Sequence, residues 1–258
     1  MIPLSFAQRR LWFLHRLEGP SATYNIPFAL RLKGPLDTAA LAAATTDVAT
    51  RHESLRTLIV EDADGTPGQR ILPPAEAVLP FHLTDTTPQD LDGALEKVLR
   101  RGFHLDTELP LRTTVFTLSP HEHVVAFVFH HIAVDGASMA PFLNDLVTAY
   151  TARRQGQAPH WTPLAVQYKD YTLWQRQLLG DEDDPESVAA AQIDYWQHEL
   201  DGVIQPVQLP LDRPRPTMPG HHGGHVSFTL EPELLTGLGK LAADHGATAP
   251  MAAQAALT

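Results

Sequence analysis

The stretch that decides the fold of this chain is HVVAFVFHHIAVDG, from His123 to Gly136. Its residues Val124 to Phe129 form a strongly apolar run, which is typical of a buried strand. Two imidazoles and a carboxylate follow, and polar groups at the end of a buried strand are costly unless they are satisfied or used. Because histidine is the side chain best suited to proton transfer near neutral pH, this stretch predicts a reaction centre.

The two adjacent histidines are predicted to face different surroundings, because neighbouring side chains at a strand end point to opposite sides. One is expected to pack or hydrogen-bond inside the fold, while the other faces open space. Asp135 lies past a bend, so we do not expect it to share a proton with either histidine. A buried carboxylate needs a cationic partner. Gly136 allows either a close approach of a ligand to the backbone or a positive φ.

Two other interpretations of this stretch stay open on the residues alone. The first is a structural pair of satisfied histidines followed by a capping aspartate. The second is a metal site, which needs a third ligand, and the other histidine cluster of the chain is His221, His222 and His225.

Hydrophobic periodicity predicts mixed strands and helices around this stretch, and therefore an α/β sandwich. The predicted strands are Asn25–Lys33, Thr57–Val60, Gln69–Leu72, Leu111–Leu118, His123–Phe129 and His225–Leu230. Helices are predicted after the cap Ser5, from the cap Asp37 to about Leu55, after the cap Ser138, over 88–101, over 168–179, up to Leu200, and over 232–244. A segment rich in proline and glycine, Pro206 to Gly224, is expected to be extended.

The composition excludes several classes of protein. The 258 residues carry a net charge of -11 and show no cluster of Lys and Arg, which argues against a nucleic-acid partner. No apolar run is long enough to cross a membrane and no export signal is visible, so a cytoplasmic location is expected. The absence of cysteine excludes disulfides, thiolate catalysis and thiolate metal sites.

Four ordered stretches give the chain a specific resemblance to the condensation domains of nonribosomal peptide synthetases, in the superfamily of chloramphenicol acetyltransferase-like acyltransferases. They are Ser5–Leu14, Arg51–Thr57, the HHxxxDG signature of His130–Gly136, and Tyr168–Trp174. The resemblance implies an α/β fold, a chloramphenicol acetyltransferase-like two-layer sandwich with a mixed sheet. In this family the active site lies in a tunnel between two similar lobes.

The resemblance also implies the reaction and its partners. The domain joins an upstream peptidyl thioester to a downstream aminoacyl amine, and both reactants arrive on phosphopantetheine arms of peptidyl carrier domains. An adenylation domain is expected nearby. No cofactor or metal is expected to bind directly.

Site residues are carried over by the same resemblance. His131 is the active-site histidine, either as a general base toward the amine or as a group that positions it. His130 is structural, and Asp135 is expected to pair with Arg56 and hold the loop in shape. Gly136 is expected to place its N–H near the thioester carbonyl or the developing oxyanion.

The chain departs from the family pattern in two ways. Ala137 stands where many members have tryptophan, which widens the channel or loosens the loop. The motifs of a second lobe are missing, so the expected organisation is a first lobe over 1–175, a crossing segment over 176–224, and the incomplete start of a second lobe over 225–258. The fragment alone is therefore expected to have little or no activity.

Ala133, the run Ser138 to Phe142 and the acidic stretch near Asp181 resemble the subtype whose donor ends in a D-residue. The alternatives are an epimerization domain, another acyltransferase of the superfamily, and a non-catalytic carrier-docking fragment. The opening motif favours condensation over epimerization.

Overall fold

The strands and helices follow the predicted alternation in a computed structural model, which describes residues 1–203, 211–217, 224 and 226–256. The strands in these ranges are β1 Ile2–Pro3, β2 Asn25–Lys33, β3 Thr57–Glu61, β4 Pro67–Ile71, β5 Phe81–Asp85, β6 Leu111–Ser119 and β7 Glu122–His130. The helices are α1 Phe6–Glu18, α2 Thr38–Arg51, α3 Leu91–Leu99, α4 Met139–Arg154, α5 Tyr168–Leu179, α6 Val188–Glu199, α7 Pro232–Asp244 and α8 Ala249–Ala255.

Helix starts are where the sequence predicts them in two clear cases. Ser5 caps α1 because its side chain accepts a hydrogen bond from the Gln8 N–H, and the Gln8 side chain in turn accepts one from the Ser5 N–H. Asp37 caps α2 by accepting from the Ala40 N–H. The predicted extension of α2 to Leu55 is wrong, because the helix ends at Arg51 and a 3₁₀ turn, Glu53–Arg56, follows.

One predicted strand is not formed, and two short strands were not predicted. Residues 226–230 have no regular secondary structure, while His225 and the histidines 221 and 222 lie outside the described residues. A strand needs a neighbouring strand for its backbone hydrogen bonds. Phe228, in the middle of this segment, is 80% exposed, so the segment is not packed against a sheet. Strand β1 is only two residues long, and β5 has only two apolar residues, Phe81 and Leu83, so neither shows a pattern long enough to predict a strand.

A four-stranded mixed sheet carries the histidine stretch. Its strand order is β2-β7-β6-β5, and β5 runs parallel to β6 while the other two pairs are antiparallel. A second, antiparallel sheet has the order β1-β4-β3. The prediction of an α/β fold with a mixed sheet is therefore confirmed.

Strand β7 is buried on both faces, which explains its continuous apolar sequence. Val125, Phe127 and Phe129 lie in one core cluster with α2 and α4. The alternate residues of β7 contribute to clusters on the opposite face, with α1 and α3. Because side chains alternate along a strand, His130 continues the second series and enters the protein interior.

His130 is accordingly a buried titratable group, with 3% of its surface exposed. Its ring lies 5.9–6.4 Å from the rings of His15, Tyr24 and Phe103. Burial, with smaller contributions from His15, His131 and Arg112, lowers the pKa of His130 to about 4. The imidazole is therefore neutral at physiological pH.

The chain forms two compact units, Met1–Val207 and Gln208–Thr258. The second contains α7, which has a proline at its start as predicted, and α8. Across the described ranges, no helix is both long enough and apolar enough to cross a membrane.

The buried His130 predicts a loss of stability in mild acid. In the unfolded chain the imidazole has its ordinary pKa of 6.5 and takes up a proton below that pH, whereas in the folded chain it stays neutral down to about pH 4. Protons therefore favour the unfolded state between these values, and stability falls as the pH is lowered through this window. The free energy of unfolding, measured with urea, should lose about 2 kcal/mol from this group between pH 7.5 and pH 5.

The matched variant is His130→Asn, whose side-chain oxygen can still accept a hydrogen bond but does not titrate. Its unfolding free energy should depend less on pH over the same range. An identical pH dependence in both proteins would show that His130 is not the group responsible.

Candidate active site

His131 is held at the surface with a defined ring orientation. Its backbone N–H donates to the Tyr24 carbonyl on the β2 side at 2.9 Å, and its side chain is exposed. Its Nδ1 lies 2.9 Å from the Val134 carbonyl oxygen. Because a carbonyl only accepts hydrogen bonds, Nδ1 carries the proton in this contact. In the neutral ring the lone pair is therefore on Nε2, which is available to a substrate.

His130 has the opposite arrangement, as the strand geometry predicts. Its Nδ1 accepts a hydrogen bond from the Ile132 N–H at 3.0 Å, so in the neutral ring the proton is on Nε2. The ring is enclosed by aromatic neighbours and contributes to packing. The two adjacent histidines thus have different protonated nitrogens and different surroundings.

Asp135 closes a small ring of hydrogen bonds with Ser138. The Ser138 N–H and hydroxyl both donate to Asp135 Oδ1, at 3.0 and 2.7 Å, and the Asp135 N–H donates to Ser138 Oγ at 3.0 Å. The Ser138 hydroxyl is the main cause that lowers the pKa of Asp135. This ring spans the 3₁₀ turn Gly136–Ser138. The sequence predicts that Ser138 caps α4, but its side chain holds the loop and makes no capping hydrogen bond.

The predicted ion pair between Asp135 and Arg56 is wrong. Arg56 Nη2 lies 3.4 Å from Glu53 Oε1, and Arg56 Nη1 donates to the Leu72 carbonyl. The carboxylate of Asp135 already has short local donors, so it needs no distant cation. Arg56 therefore ties the turn after α2 to the end of β4.

The second and fourth motifs meet at Glu53. Lys169 Nζ donates to the Glu53 carboxylate at 2.8 Å, and Gln167 accepts from the Glu53 N–H at 3.1 Å. Glu53 is thus shared between Arg56, three residues along the chain, and Lys169 on α5. This network joins the Arg51–Thr57 motif to the start of the Tyr168–Trp174 motif.

The first and fourth motifs also touch. Ser5 Oγ lies 2.9 Å from the Tyr168 hydroxyl, and Arg176 Nε donates to the Leu4 carbonyl at 2.7 Å. Burial raises the pKa of Tyr168, so its phenol stays protonated. The sequence motifs mark all three elements, but only the structure shows that they hold one another.

Gly136 has a φ outside the left-handed region, so of the two predicted reasons for a glycine here, a positive φ does not apply. A Cβ at this position would meet nothing within 4 Å. The fold of the described chain therefore does not require glycine at this position.

A cavity of about 180 Å³, which we call the loop cavity, borders the signature loop. Its lining comes from the second motif, the loop and the start of α4, and consists of His52, Ser54, Leu55, Ala133, Val134, Ser138, Pro141 and Phe142. Ala133, Val134 and Ser138 belong to the stretch that orients His131. The cavity is thus a neighbour of the candidate reaction centre.

The described residues contain no group of three or more His, Asp or Glu side chains that could hold a metal ion. The histidines 221, 222 and 225, which the metal interpretation required, lie outside the described residues.

The chain is similar to known proteins in both sequence and fold. A probable nonribosomal peptide synthetase of Salinispora arenicola, CymA, is 51% identical over 257 residues, which cover 100% of this chain and 3% of that protein. The X-domain from teicoplanin biosynthesis is 39% identical with a TM-score of 0.84, over 95% of this chain and 53% of that one. The first condensation domain of the CDA synthetase shares the fold at 23% identity, with a TM-score of 0.69 over 96% of this chain and 58% of that one.

These likenesses confirm the predicted fold class, and the chain spans only a small part of the curated relative. The family model of the condensation domain matches residues 1–258. With the HHxxxDG stretch, its buried and exposed histidines and the three motifs around it, the chain belongs to the condensation domain family.

Proposed function

We propose that this chain contributes the histidine side of an active site that forms an amide bond in nonribosomal peptide synthesis. The observation that carries the proposal is the exposed His131, whose Nδ1 lies against the Val134 carbonyl and whose Nε2 is available. The reactants are a donor peptidyl or acyl thioester and an acceptor aminoacyl amine. Membership in the condensation domain family supports this assignment.

The proposed reaction begins with the acceptor amine near His131 Nε2. The nitrogen lone pair forms a bond to the thioester carbonyl carbon, and the oxygen becomes an oxyanion. When this intermediate collapses, the C–S bond breaks and the thiolate leaves. The proton lost by the amine passes to the thiolate, either through Nε2 or directly while Nε2 orients the amine.

Gly136 is proposed to stabilise the oxyanion with its backbone N–H. It opens the 3₁₀ turn, a position whose N–H has no partner within the turn itself. A Cβ at Gly136 would meet nothing within 4 Å, so the space beside this residue is open.

The proposed reactants are both tethered thioesters, and this determines which partner domains the chain needs. We propose that upstream and downstream peptidyl carrier domains deliver both reactants on phosphopantetheine arms, with an adenylation domain nearby. The name of the Salinispora relative supports a place in a synthetase of this kind. Because the chain spans 53% of the teicoplanin X-domain, we propose that it needs the remainder of the domain for activity.

Loss of the imidazole in the full-length parent protein should slow amide formation by about 10²–10⁴-fold, the usual worth of general acid–base help. The test loads donor and acceptor carriers and compares the rate of amide formation for wild type and His131→Ala. Since His131 is exposed, the variant should keep its fold.

His121→Ala is the matched control, because His121 lies in the turn between β6 and β7, outside the signature stretch. Its rate should equal that of the wild type. A wild-type rate of amide formation in His131→Ala would contradict the proposed role of His131. Carrier binding without amide formation by the wild type would favour the carrier-docking alternative.

We further propose a donor that ends in a D-residue, which the residues Ala133 and Ser138–Phe142 support by resemblance to that subtype. The parent protein should use a donor carrier loaded with a D-aminoacyl group at a higher kcat/KM than its L-epimer. Equal use of both epimers, or preference for the L-epimer, would contradict this assignment.

A further inference from the structure

The loop cavity lies beside the signature loop and is lined by residues of three separate segments. Ala133, Val134 and Ser138 form one wall, and Ser54 and Leu55 of the turn after α2 contribute to its lining. Phe142 and Leu55 are buried beneath it, at 4% and 3% exposure. The cavity therefore has a fixed apolar base beside the loop that carries His131.

Its size suits a single side chain. At about 180 Å³ it is smaller than the roughly 300–1,000 Å³ of sites that enclose whole small-molecule ligands. A peptidyl thioester with its arm would not fit, whereas one short side chain would. The rest of the donor must then lie outside the cavity.

The lining favours an uncharged group. It contains no Asp, Glu, Lys or Arg, and most of it is apolar. His52 Nε2 is already occupied by Asp145 at 2.7 Å, and Ser138 Oγ by Asp135. A charged side chain placed here would lack a partner, and that is costly.

Ser54 is a polar lining residue whose hydroxyl remains available. Within the described part of the chain its hydroxyl makes no hydrogen bond with another residue. An aliphatic side chain, or one with a single hydroxyl group, matches an apolar base with one hydroxyl at its edge.

The position of the cavity beside Gly136 favours the donor over the acceptor as the reactant whose side chain it binds. Val134 and Ser138 lie two residues before and two residues after Gly136, whose N–H is proposed to meet the thioester carbonyl. The carbon next to that carbonyl carries the donor side chain, which then lies beside the cavity. The acceptor, in contrast, approaches through its amine at His131 Nε2.

We infer that the loop cavity binds the short, uncharged side chain of the donor residue adjacent to the thioester, and so sets which donors are used. This inference rests on the proposed amide-forming function. It assigns Ala133 and Ser54 as residues that determine specificity, although neither takes part in the proposed chemistry.

The test fills the cavity from two walls in the full-length parent protein, with Ala133→Leu and Ser54→Leu. Donor carriers are loaded with glycyl or leucyl groups, and kcat/KM for amide formation is measured with one fixed acceptor. Both variants should lose about 10-fold or more on the leucyl donor relative to the glycyl donor, because added methylenes in a packed site exclude a side chain. Ala39→Leu, an exposed position on α2 outside the cavity, should leave the ratio unchanged.

Two variants from different walls keep the test decisive if one of them fails to fold. An equal loss on both donors, or a change in acceptor preference in place of donor preference, would overturn the inference while wild-type turnover still supports the proposed function. If the wild type forms no amide with any donor, the proposed function fails, and the inference fails with it.

Discussion

The hydrogen bond between His131 Nδ1 and the Val134 carbonyl is the contact on which the chemistry of this site depends. It joins residues three apart in the chain and gives the imidazole one orientation and one tautomer. Without it the ring of an exposed histidine would rotate, and either nitrogen could carry the proton. With it, the lone pair of the neutral ring is on Nε2, the atom that we propose meets a substrate.

This contact requires that the loop after β7 keep its shape. The reciprocal bonds between Asp135 and Ser138 close the turn directly after Val134, so the acceptor carbonyl is held from the C-terminal side. On the N-terminal side, His130 is fixed among aromatic rings and its Nδ1 holds the Ile132 N–H. His130 and Asp135 thus hold the loop that orients His131, and neither contacts His131 Nε2.

Much of this could be predicted from the sequence, because strand periodicity and local caps depend on neighbours in the chain. The bounds of β2, the start of α1 at Ser5 and the divergence of His130 and His131 all follow from such local rules. The partner of Asp135 could not be predicted from the sequence. The family resemblance suggests a distant arginine, whereas the carboxylate accepts short local hydrogen bonds from Ser138 and needs no cation. The short edge strand β5 was missed because it has only two apolar residues, Phe81 and Leu83, and because it is held by pairing with β6, which lies far along the chain.

The most direct test of the central claim is the tautomer of His131, read by long-range nitrogen–proton NMR correlations in the ¹⁵N-labelled chain and assigned with His131→Asn. At a pH where the ring is neutral, we expect the proton on Nδ1 and an unprotonated Nε2. A neutral ring with its proton on Nε2 would contradict the hydrogen bond to Val134, and with it the assignment of Nε2 as the atom that meets the amine.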